Sequence, residues 1–104
     1  MGYYIIGVDI GTESGRAVLF NHNGHVVSSS SYHYPVFYPE KGEAEQNPKD
    51  WWQATIINLK SVINKANIDT KKIIGIGVCG QMHAAVPIDK QGKLLFNRIP
   101  IWCD

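Results

Sequence analysis

The sequence predicts an α/β domain in which one helix lies on a mixed sheet, with its elements in the order βββ-α-β-β. Three observations carry the prediction. Two short apolar runs, Tyr3–Val8 and Ile73–Val78, are bounded by glycines and rich in β-formers, the pattern of strands buried on both faces. Asn21-His22-Asn23-Gly24 supplies the positive-φ residues of a tight hairpin. Trp52, Ile56, Leu59, Ile63 and Ala66 recur at spacings of four and three, one apolar stripe of a helix.

Each element follows from local chemistry. The first strand ends at Asp9, where Gly11 and Gly15 open a turn. Arg16–Phe20 is the second strand and His25–Tyr34 the third, its serines 28–31 reading as an edge strand. Residues 35–48, with three prolines and Gly42, form the irregular stretch. Asn47 then caps the helix, Pro48 suits its first position, and Asp50 sits favourably in its first turn. Asn67 closes it. The helix makes a parallel crossover to Ile73–Val78. Ala84–Ile88 is expected to continue the sheet, with Asp89-Lys90-Gln91-Gly92 as its turn. Trp52 reads as core, and Trp51 flanks it.

Composition excludes several function classes. The 104 residues make one domain, spanning 1–104, and carry 10 Lys+Arg against 9 Asp+Glu, a net charge of +1. Nucleic-acid surfaces need a clustered basic excess, and the longest like-charge run is only Lys71-Lys72. No apolar stretch approaches the roughly 18 residues of a membrane span, and no signal peptide is apparent, so a soluble, cytoplasmic protein is expected. Cys79 and Cys103 have no metal-ligand spacing and read as small buried apolar residues.

Chemistry concentrates in three clusters. Asp9-Ile10-Gly11-Thr12-Glu13-Ser14-Gly15-Arg16 places an acidic residue at the end of a strand, directly before a tight turn. Such a hairpin points N–H groups and hydroxyls into one concavity suited to phosphate oxygens. Asp9 suits a hydrated Mg²⁺ beside them, and Arg16 offers a planar, permanently charged fork. The residues read equally as an ordinary hairpin with two turn glycines. Gly80-Gln81-Met82-His83 follows the second apolar run, at the strand ends where open α/β sheets bind ligands. Gln81 and His83 suit hydroxyl groups and Met82 a carbon skeleton, although a lone His at such a junction is more often structural. Trp102 and Asp104 are a plausible stacking surface and hydroxyl acceptor, although a Trp near an apolar segment is more often core.

The stretches 7–20 (GVDIGTESGRAVLF), 42–54 (GEAEQNPKDWWQA), 73–84 (IIGIGVCGQMHA) and 100–104 (PIWCD) together resemble the amino-terminal portion of the FGGY family of carbohydrate kinases, its xylulose kinases most of all. The resemblance implies an actin-like, ribonuclease-H-like fold, of which residues 1–104 would be part of the first lobe. It implies transfer of the γ-phosphoryl of Mg·ATP to a ketopentose hydroxyl, with D-xylulose giving D-xylulose 5-phosphate. Ribulose, another ketose or glycerol are the alternative acceptors. Actin- and Hsp70-type nucleotide switches and a non-catalytic binding domain are the rival classes.

By motif position, Asp9 would be the catalytic, Mg-associated carboxylate, and Thr12, Glu13, Ser14 and Arg16 would lie along the ATP phosphates. Gln81, Met82, His83 and Asp104 would border the sugar. Partners would be the sugar and ATP, with a homodimer of the full-length protein among the assemblies considered, and with neither nucleic acid nor membrane. The aspartate activating the sugar hydroxyl would lie beyond residue 104, so the 104 residues alone are expected to be inactive. Glu43, Asn47 and Ala84 depart from the family pattern, Ala84 standing where a xylulose kinase usually carries glycine.

Overall fold

The computed structural model describes residues 2–102. Three strands form a meander: β1 (Tyr4–Ile10), β2 (Ser14–Asn21) and β3 (Val26–His33). A two-residue strand, β4 (Glu45–Gln46), precedes helix α1 (Pro48–Ala66). A short 3₁₀ turn, Thr70–Lys72, leads into β5 (Ile73–Gly80), and β6 (Ile99–Pro100) pairs antiparallel with β4. The main sheet has the order β3-β2-β1-β5, in which β1 and β5 are parallel and the other pairs antiparallel.

Local chemistry sets the boundaries. In the β2–β3 turn, Asn21 Oδ1 accepts from the backbone N–H of Asn23 and of His25, each at 3.0 Å, and Gly24 adopts φ +82°. Asn47 Oδ1 accepts from Lys49 N at 3.0 Å with Pro48 beside it, the expected start of α1. Asn67, at φ 52°, returns its N–H to the Ile63 carbonyl and ends the helix in a left-handed cap.

Alternation along β1 and β2 sends Ile6, Val8, Ala17 and Leu19 to the helix side, where they close a core with Val62. α1 lies chiefly over β2 and β3. Its contact with β3 is polar as much as apolar. Ser28 Oγ donates to the Val62 carbonyl at 2.7 Å, Ser30 Oγ to Asn58 Oδ1 at 2.8 Å, and Lys65 Nζ to the Ser29 carbonyl at 2.7 Å. The buried ridge of the helix is therefore Ala54, Asn58 and Val62, rotated from the predicted stripe. Trp52, expected in the core, is 67% exposed.

Three further expectations give way. β1 and β5 are not buried on both faces: Ile5 is exposed on the side away from α1, and Ile74, Ile76 and Val78 are exposed because β5 is an edge strand beyond the helix. Cys79 is exposed rather than buried, while Cys103 lies outside the described residues. Ala84–Ile88 is not a strand. The Asp89–Gly92 turn does form, with Asp89 Oδ1 accepting from Gln91 N at 2.8 Å and Lys93 N at 2.9 Å, but it closes only an isolated bridge between Ile88 and Leu94. No helix is long and apolar enough to cross a membrane among the described residues.

Candidate functional site

The parallel register of β1 on β5 carries two loops to the same edge of the sheet. Ile10 pairs with Gly80, and the ladder runs one residue further where Gln81 N donates to the Ile10 carbonyl at 3.0 Å. The β1–β2 turn and the segment after β5 thus leave the sheet side by side. Between them lies a cavity of about 360 Å³, lined by Asp9, Gly11, Thr12, Gly80, Gln81, Met82, His83 and Trp102.

The hairpin wall is held from several directions. Gly11 N donates to the Ser14 carbonyl at 3.0 Å, and a Cβ at Gly11 would stand 3.1 Å from that oxygen, so the tight turn favours glycine. The Tyr34 hydroxyl donates to the Gly11 carbonyl, and Tyr34 N donates to the Glu13 carbonyl at 3.1 Å. Burial, with the Asp9 charge adding to it, pushes the Tyr34 phenol up to about 12. Trp102 Nε1 donates to Thr12 Oγ1 at 2.9 Å, bringing the indole against the hairpin rather than into the core.

On the opposite wall, Met82 is largely exposed, and His83 adopts φ 59°, a left-handed conformation uncommon for a residue with a side chain. Asp9 is the one carboxylate among the described residues lining this cavity. Cys79 pairs with it in register and donates its S–H to Asp9 Oδ1 at 3.4 Å. That hydrogen bond, and then the Asp9 charge, raise the thiol above its ordinary range, which disfavours a reactive thiolate.

Of the residues singled out from the sequence, Asp9, Thr12, Gln81, Met82 and His83 come together here. Arg16, paired in register with Asp9, lines a second cavity of about 460 Å³ on the sheet face away from α1, with Val18, Phe20 and Gly77; Asp9 borders both. Glu13 and Ser14 line neither, and their carbonyls instead fix the turn. Asp104 lies outside the described residues. Sequence reasoning missed Gln46 and Tyr34. Gln46 is buried beneath both loops and bonds to each, and its one sequence signal is its place directly before the Asn47-Pro48 helix start.

No group of three or more His, Cys, Asp or Glu side chains gathers as a metal cage among the described residues. A hydrated Mg²⁺ does not need one, since one or two carboxylates and phosphate oxygens suffice. The accessible Asp9 carboxylate beside the Gly11–Thr12 turn fits that donor set.

Comparison with known proteins bears on the fold and the family. Residues 4–104 match the model of the FGGY family of carbohydrate kinases, N-terminal domain. The chain is 41% identical over 101 residues to the xylulose kinase of Bacillus subtilis, covering 97% of this chain and 20% of that protein. It is 32% identical over 102 residues to the glycerol kinase of Thermococcus gammatolerans, covering 98% and 20%. Among solved structures it superposes on gluconate kinase from Lactobacillus acidophilus with a TM-score of 0.84 at 34% identity, covering 95% of this chain and 20% of that one. Xylulose kinase from Rhodospirillum rubrum gives 0.84 at 31% identity, covering 93% and 20%. The chain thus spans about a fifth of the length of these relatives. Its sheet and helix form part of the amino-terminal lobe of the actin-like fold, and the chain belongs to the FGGY family of carbohydrate kinases.

Proposed function

We propose that residues 1–104 form part of the first lobe of an ATP-dependent carbohydrate kinase whose acceptor is a ketopentose, D-xylulose giving D-xylulose 5-phosphate. One observation carries this reading: a hairpin suited to phosphate and a Gln-Met-His loop suited to hydroxyls share a single cavity. The 41% identity to a xylulose kinase supports the ketose assignment. Glycerol is the second acceptor to consider, because glycerol kinases match nearly as well.

Phosphoryl transfer is mostly positioning and charge neutralisation. Asp9 would hold Mg²⁺, which would supply charge neutralisation to the phosphates. Thr12 would present its hydroxyl and backbone N–H to those oxygens. Arg16 would face them from the other side of Asp9, while Glu13 and Ser14 act through the carbonyls that shape the turn. Gln81 and His83 would hydrogen-bond sugar hydroxyls, Met82 and Trp102 would cover the carbon skeleton, and Asp104 would border the same pocket. The sugar oxygen attacks the γ-phosphorus, its proton passes to a base, and ADP leaves. With Asp9 given to the metal, this reading assigns the base to an aspartate beyond residue 104.

The test is ADP release by the intact gene product with Mg·ATP and D-xylulose, D-ribulose, L-ribulose, L-xylulose or glycerol. Preference for D-xylulose upholds the reading. Preference for glycerol replaces the acceptor, and hydrolysis that no acceptor stimulates replaces the kinase with a nucleotide switch.

A further inference from the structure

Gln46 lies under the two loops that face each other across the cavity, yet it lines no part of it. It is 1% exposed, a polar side chain committed entirely to internal partners. Its Oε1 accepts from Trp51 Nε1 at 3.0 Å and from Gln81 Nε2 at 2.8 Å. Its Nε2 donates to the Thr12 carbonyl at 2.5 Å and to the Pro35 carbonyl at 3.4 Å. Both donors and both acceptor positions of the amide are used.

The polarity of this junction is determined. An indole can only donate and a peptide carbonyl can only accept, so Trp51 on one side and Thr12 and Pro35 on the other fix which end of the Gln46 amide is oxygen. Gln46 therefore shows oxygen to Gln81, and Gln81 must answer with its NH₂ group. The Gln81 carbonyl oxygen is left over, buried and without a partner, on a residue of the cavity wall. A buried acceptor in that state is unfavourable until a donor meets it.

We propose that Gln46 is a positioning residue for the transfer reaction: it fixes the rotamer and amide orientation of Gln81, and with it the Gly80–His83 wall of the cavity, and ties that wall to the phosphate hairpin through Thr12. The inference rests on the kinase reading and adds to it a residue that touches neither substrate. Misplacement of a bound group by about 1 Å can cost about a hundredfold in rate, so a buried clamp has leverage on turnover.

The experiment is steady-state kinetics of the intact gene product carrying Gln46→Met, Gln81→Met or both, with D-xylulose and glycerol as acceptors at saturating Mg·ATP. Each single change should lower kcat/KM for the acceptor about tenfold or more. The double variant should be no worse than the weaker single, because Gln46 acts through Gln81. KM for ATP should rise in the Gln46 variant more than in the Gln81 variant, because only Gln46 holds Thr12. Gln46→Glu serves if the methionine variant fails to fold. Its carboxyl can donate to the Thr12 carbonyl only when protonated, so its KM for ATP should fall towards wild type as pH is lowered. Multiplicative losses in the double variant, or singles that lower Tm with unchanged kcat/KM, overturn the inference and leave the kinase reading standing. A wild-type protein that phosphorylates neither acceptor overturns both.

Discussion

Replacing Tyr34 with phenylalanine removes one hydroxyl and keeps the ring that packs beside Gly15, where a Cβ would approach it at 3.6 Å. The lost bond is the one to the Gly11 carbonyl, at the β1–β2 turn. A hydrogen bond of this kind contributes roughly 0.5–1.5 kcal/mol net, and the stranded carbonyl raises the loss where water cannot reach it. Tyr34→Phe should therefore destabilise the protein by about 1–2 kcal/mol at neutral pH. The loss should shrink in alkali. Folded Tyr34 keeps its proton up to about pH 12, whereas an unfolded tyrosine releases it near 10. Between these values the native state binds more protons than the unfolded state, so this contribution is complete below pH 10 and lost as pH rises through 12. The displacement corresponds to at most about 2.7 kcal/mol. Urea unfolding of wild type and Tyr34→Phe at pH 8, 10 and 11.5 isolates the residue from the other tyrosines. A stability gap that stays constant or widens across that range refutes the assigned proton.

Asp9→Asn should lower kcat of the intact gene product by a hundredfold or more through lost charge neutralisation, since removing a single electrostatic stabiliser typically costs that much; near-wild-type kcat at saturating Mg·ATP removes Asp9 from the metal. His83→Ala and His83→Gly should both raise the KM for sugar, with the KM for ATP little changed. Only the glycine variant avoids the cost of a left-handed backbone, about 1 kcal/mol, so it should melt higher than the alanine variant. Gly15→Ala places a methyl 3.3 Å from Ala54 Cβ and should destabilise by about 1–3 kcal/mol, measured as a lower Tm. The isolated 104-residue polypeptide should transfer no phosphoryl group to D-xylulose in the ADP-release assay, because its described cavity holds a single carboxylate.

Features with local causes were legible in the sequence. The Asn47-Pro48 start and Asn67 end of α1 depend on side chains within a few residues of the boundary, and both stand where they were expected. The same holds for the Asn21–Gly24 turn and for the hairpin after Asp9. Asp9, Thr12 and the Gln81–His83 segment were legible as separate clusters because each leaves the end of an apolar run. That they meet in one cavity follows from the parallel β1–β5 register, a pairing between distant segments that neither run specifies alone.

What stayed hidden depended on partners. Hydropathy placed Trp52 in the core, and it read the serines of β3 as an edge strand, which they are, without their contact to the helix. Ser28 and Ser30 also bond to the helix, and that contact goes with Asn58 turned inward and Trp52 outward. The same rotation leaves neighbouring Trp51 half-buried, with its indole N–H on Gln46. A buried amide carries no periodic signal, because its value lies in four partners, three of them from other parts of the chain. The tryptophan that hydropathy ranked second thus orients the amide joining both walls of the cavity. The polar contacts that hydropathy discounts here set the rotation of the helix, and with it the geometry of the site.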